Sequence, residues 1–290
     1  MSTTKPKSFK MFDLAEAKTT KGTSILLYGP SASRKTRTIG SLGDKCVTLH
    51  ISLDNGASSA LAGAKSLGRK SSVHKVVCPT SLEELNDIII GLHTNTMYKD
   101  NIDVVVVDNL TTLVEWIRDF LYSTKRFKVD MNTIEDALTG DDSNKQSSKM
   151  LPFYSQLQLL TKQLNNQLLE LTDSYNVILL AHETEGTDAS GAASIMPECA
   201  GPKSLLPLVS VFNEVYRTEF KDGDLDTPDH CATYFRISSF NDPMSGTRYF
   251  AKTRGIETTK YLQDNLIPAD LNYILTKEVG YIYKKDRPKE

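Results

Sequence analysis

The chemistry in this chain begins between Thr23 and Gly40, where it reads TSILLYGPSASRKTRTIG. Ile25, Leu26, Leu27 and Tyr28 form a short apolar run. A turn of small residues follows, made of Gly29, Pro30, Ser31, Ala32 and Ser33. Arg34, Lys35, Thr36 and Arg37 then open a helix-compatible segment. Strand, small-residue turn and Lys-Thr at a helix start together make a phosphate cradle. Backbone N–H groups face the oxygens, the lysine reaches the outer ones, and the hydroxyl holds Mg²⁺. The spacing follows G-x-x-x-x-G-K-[ST] at every fixed position but one, because Arg34 stands where the second glycine belongs. Its Cβ restricts the backbone exactly where phosphate should approach it closely, so the fit is imperfect. A polar turn that merely contains Lys-Thr is the plainer reading.

A second group strengthens the first. Ile102-Asp103-Val104-Val105-Val106-Val107-Asp108 reads as a buried parallel strand ending in a carboxylate, since four consecutive valines suit a strand covered on both faces. Asp108 at that tip is placed to hold a metal shell beside a phosphate. The competing reading makes Asp108-Asn109 the N-cap of the helix that follows through Leu110, Leu113, Val114, Ile117, Phe120 and Leu121.

Two further strand ends carry polar groups. Cys46 to Ile51 alternates as a strand and runs into Ser52-Leu53-Asp54-Asn55-Gly56, where Asp54 is either a water-orienting carboxylate or part of an Asp-Asn-Gly turn. Asn176 to Ala181 is another strand, tipped by His182, which is either a γ-phosphate sensor or a structural histidine. In open α/β sheets ligands gather at such ends.

The positioning elements are legible around these. Residues 57–72 suggest a helix and a loop, and Val73 to Cys78 a strand. Ser81 with Glu84 reads as a capping box for a helix burying Leu85, Ile89 and Leu92. Phe153 to Leu171 repeats apolar residues at helical spacing. Residues 125–150 and 184–204 read as two long loops; Lys125, Arg126, Phe127 and Lys128 in the first, and Lys203 in the second, offer cations and a stacking ring to single-stranded nucleic acid, or form only an exposed lid. Asn213–Phe220 and Ala232–Phe240 alternate as antiparallel strands. Lys252 and Arg254 follow, two residues apart on one strand face. The end, from Leu262 to Glu290, suggests short helices and a polar terminus.

Composition sets the limits. With 290 residues, 39% hydrophobic and 24% charged, one core of near-maximal size is expected. The formal charge of −2 leaves only local basic patches for nucleic acid. No run approaches the roughly 18 apolar residues of a membrane span, and MSTTKPKSFKMF lacks a secretory apolar region. Cys46, Cys78, Cys199 and Cys231 are too dispersed for a zinc site and suit a reducing, cytoplasmic setting.

The order of GPSASRKT, VVVVD, NVILLAH and the late AKTRG resembles the RecA-like ATPases over roughly residues 22–256. AKTRG is similar to the Lys-x-Arg element of replicative hexameric helicases, and size and the AHE tip are most similar to bacteriophage AAA-type nucleotide-binding proteins, including phage RecA-like single-strand annealing proteins. The resemblance implies a mostly parallel α/β sheet flanked by helices, with antiparallel strands toward the C-terminus. It implies a basic lead-in (1–22), an ATPase core (23–256) and a tail (257–290). Functionally it implies ATP and Mg²⁺ held by residues 29–37 and Asp108, hydrolysis aided by Lys35, Asp54 and His182, and Lys252 and Arg254 acting on a neighbour's γ-phosphate in a ring or filament. It further implies single-stranded DNA as partner, phage recombination or replication as setting, and the host cytoplasm as location. A non-hydrolysing nucleotide- or DNA-binding module, motivated by Arg34, and a hexameric helicase motor are the alternatives.

Overall fold

The structure is a computed structural model describing residues 22–70, 73–123, 143–187, 192–199, 209–220, 233–256 and 265–287, with the side chains of 143–152 and 220 excepted. Five strands form its parallel centre: β1 (Ser24–Gly29), β2 (Thr48–Ser52), β3 (His74–Val77), β4 (Val104–Asp108) and β5 (Asn176–Thr187), side by side in the order β1-β5-β4-β2-β3. The far half of β5 leaves this layer and pairs antiparallel with β6 (Ala193–Pro197). On the other side of β1 lies β7 (Glu214–Phe220), parallel to it, followed by β8 (Thr233–Arg236) antiparallel. Short strands β9 (Phe240–Asn241) and β10 (Arg248–Tyr249) join β6, and β11 (Leu266–Pro268) closes the sheet against β8.

Alternation explains the two layers of core. Val105 and Val107 of β4 join Leu26 and Tyr28 of β1 and Val177 and Leu179 of β5 on one face. Val104 and Val106 join Ile25, Leu27, Ile178 and Leu180 on the other. Side chains of period 2 reach both sides of a strand, so an uninterrupted valine run is satisfied only if both are covered. The first face is covered by α3 (Leu82–Thr94), α5 (Leu110–Ser123) and α6 (Ser143–Glu170), through Leu85, Ile89, Leu113, Ile117, Phe153 and Leu157 among others. The second is covered by α1 (Lys35–Ile39), α2 (Ala57–Ser66) and the residues after β11. A short α4 (Thr96–Asn101) leads into β4.

Three expectations are corrected. Residues 183–187 and 193–197, read as part of a flexible loop, form the β5–β6 hairpin. Their Gly, Ala and Ser content hid the pairing; Gly186 leaves room for Met196, whose methyl would lie 3.0 Å from a Cβ there. Helix α6 begins at Ser143, inside the segment read as the first loop. Lys252 makes an isolated bridge to Val215 and does not lie within a strand.

The residues after 256 also contribute to the fold. Ile267, Leu271, Ile274, Leu275 and Tyr283 are buried in the second core layer. Asp103, fully buried, accepts from Val47 N at 3.0 Å, Lys284 N at 2.8 Å and Tyr281 Oη at 3.2 Å, tying the C-terminal segment to the base of β4. Asp103→Ala should lower stability by roughly 3 kcal/mol, since it strands buried donors. A urea midpoint unchanged from wild type would show that the segment is anchored elsewhere.

Candidate functional site

At the C-terminal ends of the parallel strands lies a cleft of about 350 Å³, lined by residues 32–37 with Asp54, Asp108, Asn109 and His182. Its floor is the turn after β1. Gly29 is required there: a Cβ would meet Thr218 Oγ1 at 2.2 Å. Thr218, on β7, also lies 2.7 Å from Ser33 Oγ and donates to Tyr28 O at 3.2 Å, so β7 fixes the turn.

Arg34 occupies the left-handed region, with φ 61° and ψ 20°. The backbone therefore adopts the glycine-type conformation although the sequence supplies a side chain, at a cost of roughly 1–2 kcal/mol. Arg34→Gly should be more stable than Arg34→Ala by about 1 kcal/mol, because both remove the guanidinium and only one relieves the backbone. Equal melting temperatures would refute this.

Lys35 folds over its own loop, donating to Gly29 O at 2.9 Å and Pro30 O at 2.8 Å. Burial lowers its pKa to about 8, opposed by Glu183, Asp108 and Asp54. Helix α1 has only five residues, too few for a strong helix dipole, so the positive charge at the turn comes chiefly from the Lys35 ammonium.

Thr36 Oγ1 donates to Asp108 Oδ2 at 2.8 Å. Asn109, not Asp108, caps α5: its Oδ1 accepts from Thr112 N at 2.9 Å. Asp54 forms the Asp-Asn-Gly turn, its Oδ1 accepting from Gly56 N at 2.9 Å, and it also lines the cleft, where its Oδ2 accepts from Asn109 Nδ2 at 2.7 Å. His182 is paired with Gly29 in the β1–β5 register, and its N–H donates to Thr111 Oγ1 at 3.2 Å.

Lys252 and Arg254 lie elsewhere. The Lys252 ammonium is held by the carbonyls of Val209, Ser210 and Phe212 at 2.7–3.1 Å. Arg254 and Gly255 donate backbone N–H to the buried Glu214 carboxylate, at 3.1 and 2.7 Å to Oε1. Glu214 is level with Ile25 and Arg217 with Tyr28. The pair thus sits near the start of β1, on the order of 15 Å along the sheet from the phosphate turn. Lys125, Arg126, Phe127, Lys128 and Lys203 lie outside the described residues.

Sequence reasoning missed several neighbours of the cleft. Arg217 joins Glu183 (2.9 Å) to Glu219 (3.0 Å), and Arg236 closes on Glu219 at 2.5 Å, a ladder across β5, β7 and β8. His50 lies 3.3 Å from Asp108. A lone histidine in β2, between Leu49 and Ile51, gave no signal for the latter.

Among the described residues no cluster of three or more His, Cys, Asp or Glu could hold a metal ion. The convergence of Thr36 and Asp108 fits Mg²⁺, which uses one or two protein oxygens and takes the rest from water and phosphate. Nor is any described helix long and apolar enough to cross a membrane.

A phosphate-type turn after β1, a carboxylate at the tip of β4 and β5 between the two define a RecA-like P-loop fold. A family model described as an AAA domain matches residues 21–255, and the chain belongs to that family. No curated protein matches it. Among solved structures it is similar to the flagellar accessory protein FlaH from Methanocaldococcus jannaschii, at 11% identity, TM-score 0.38 and coverage of 80% of this chain and 83% of that one. It is similar also to the ATPase domain of G40P, at 9% identity, TM-score 0.38 and coverage of 73% and 75%. Likenesses this distant carry no functional argument.

Proposed function

We propose that the chain binds and hydrolyses ATP, and that it does so in a homo-oligomer acting on single-stranded DNA in phage recombination or replication. The observation that carries the hydrolytic reading is the 2.8 Å contact of Thr36 with Asp108 beside Lys35 in one cleft. Lys35 neutralises phosphate charge, Thr36 and Asp108 hold Mg²⁺, and Asp54 with Asn109 offers a water-orienting carboxylate. When bound, Mg²⁺ supplies charge neutralisation at the phosphates. Phosphoryl transfer needs such positioning and no covalent intermediate.

Oligomerisation is supported by the place of Arg254: it is exposed and far along the sheet from its own cleft, so a contribution to an ATP site would come from a neighbour. DNA binding rests on the loop cations of the sequence. Turnover measured with and without a single-stranded oligonucleotide tests the whole reading. Stimulation that fades steeply with salt is expected; turnover indifferent to the oligonucleotide removes the DNA role.

One observation favours a second reading. Lys35 is satisfied by its own loop carbonyls, and Arg34 holds a left-handed backbone where the motif has glycine, as in a module that binds nucleotide without cleaving it. Stoichiometric calorimetric uptake of Mg-ATP with no phosphate release would select it.

A further inference from the structure

His50 is completely buried in β2, where a polar ring needs hydrogen-bond partners. Its Nε2 lies 3.3 Å from Asp108 Oδ2, the oxygen that also accepts from Thr36. Its Nδ1 lies 3.3 Å from Nε2 of His74 on the edge strand β3. The two rings are tilted by 53°, so they meet through their nitrogens and are not stacked. An ionised carboxylate only accepts, which puts a proton on Nε2 of His50. In the tautomer that keeps its proton on Nε2 and leaves Nδ1 bare, His50 accepts at Nδ1 from His74 Nε2. Burial lowers the pKa of His74 to about 4, leaving it neutral with a single N–H to give.

We infer that His50 is a positioning residue for Asp108: it holds the carboxylate toward Thr36, and His74 locks His50 in the tautomer that can do so. This rests on the nucleotide reading of the cleft and goes beyond it. It assigns work to two residues outside the P-loop and the carboxylate strand. Hydrogen-bonded partners of this kind orient metal-holding carboxylates, and their loss costs roughly ten- to a hundred-fold in metal affinity.

The test has two readouts. Nitrogen-15 NMR of the histidine rings in the ligand-free protein should find the proton of His50 on Nε2 and that of His74 on Nε2. A proton on Nδ1 of His50 would overturn the inference. Second, the gain in affinity for a non-hydrolysable ATP analogue on adding Mg²⁺ is measured by calorimetry. His50→Phe should lose roughly ten- to a hundred-fold of that gain with metal-free affinity unchanged, whereas His50→Gln, which keeps a donor near Nε2, should recover most of it. An undiminished gain in His50→Phe would overturn the inference. If His50→Phe does not fold, the half-buried His74→Phe decides by the same measure. A wild-type protein with no Mg²⁺ gain would instead sink the nucleotide reading, and the NMR result would still judge the histidine pair by itself.

Discussion

Lys35→Ala is expected to lose ATP turnover almost entirely, by on the order of 10²–10³-fold or more in kcat/KM, the scale of one aligned charge removed from a phosphate site. The geometry makes the site sensitive in a particular way. The ammonium is buried within a turn whose carbonyls already hold it at 2.8 and 2.9 Å. An incoming phosphate group must draw it across a short distance, away from these carbonyls and from the Ser33 hydroxyl at 3.3 Å. Lys35→Arg should fail nearly as badly, because a planar fork does not replace a compact ammonium in so small a space. Melting curves separate this from unfolding. Turnover within ten-fold of wild type in a folded Lys35→Ala protein would end the hydrolytic reading.

The second large effect concerns Arg254. Its replacement by alanine should reduce turnover of the assembled protein by roughly 10³–10⁵-fold, the range for a charge supplied across a subunit boundary. Affinity for nucleotide in the isolated chain should change little, since Arg254 is remote from its own cleft. Mixing the two inactive proteins gives the sharper measurement. A hybrid interface combines the intact cleft of an Arg254→Ala chain with the intact arginine of a Lys35→Ala chain, so part of the turnover should return. Absence of any recovery, with assembly verified by light scattering, would confine Arg254 to a structural role on Glu214.

The parallel centre of the fold was readable because its signals are local. The valine run of β4, the small-residue turn and the apolar stripe through Phe153 and Leu157 each follow from a period or a steric demand within a few residues. What escaped notice depended on distant partners. The β5–β6 hairpin lay in a stretch rich in glycine and alanine, where Gly186 pairs with Ser194 and leaves room for the Met196 methyl, with no hydrophobic alternation to announce the pairing. The burial of Asp103 beneath Lys284 joins residues 181 apart in the chain. At the cleft, Lys35, Thr36 and Asp108 were identified from spacing, but whether Asp108 capped its helix turned on Asn109, one residue along, and only geometry separates those neighbours. His50 was passed over because an isolated histidine in a strand carries no pattern.

Strand β5 runs unbroken for 12 residues, its first half hydrogen-bonded among the central strands and its second half paired with β6 beyond the cleft. A continuous pleated rod has no joint at which its two halves can swing separately. His182 stands at the midpoint, so a shift of its backbone would be shared with the hairpin, and amide exchange in β6 is the place to look for it.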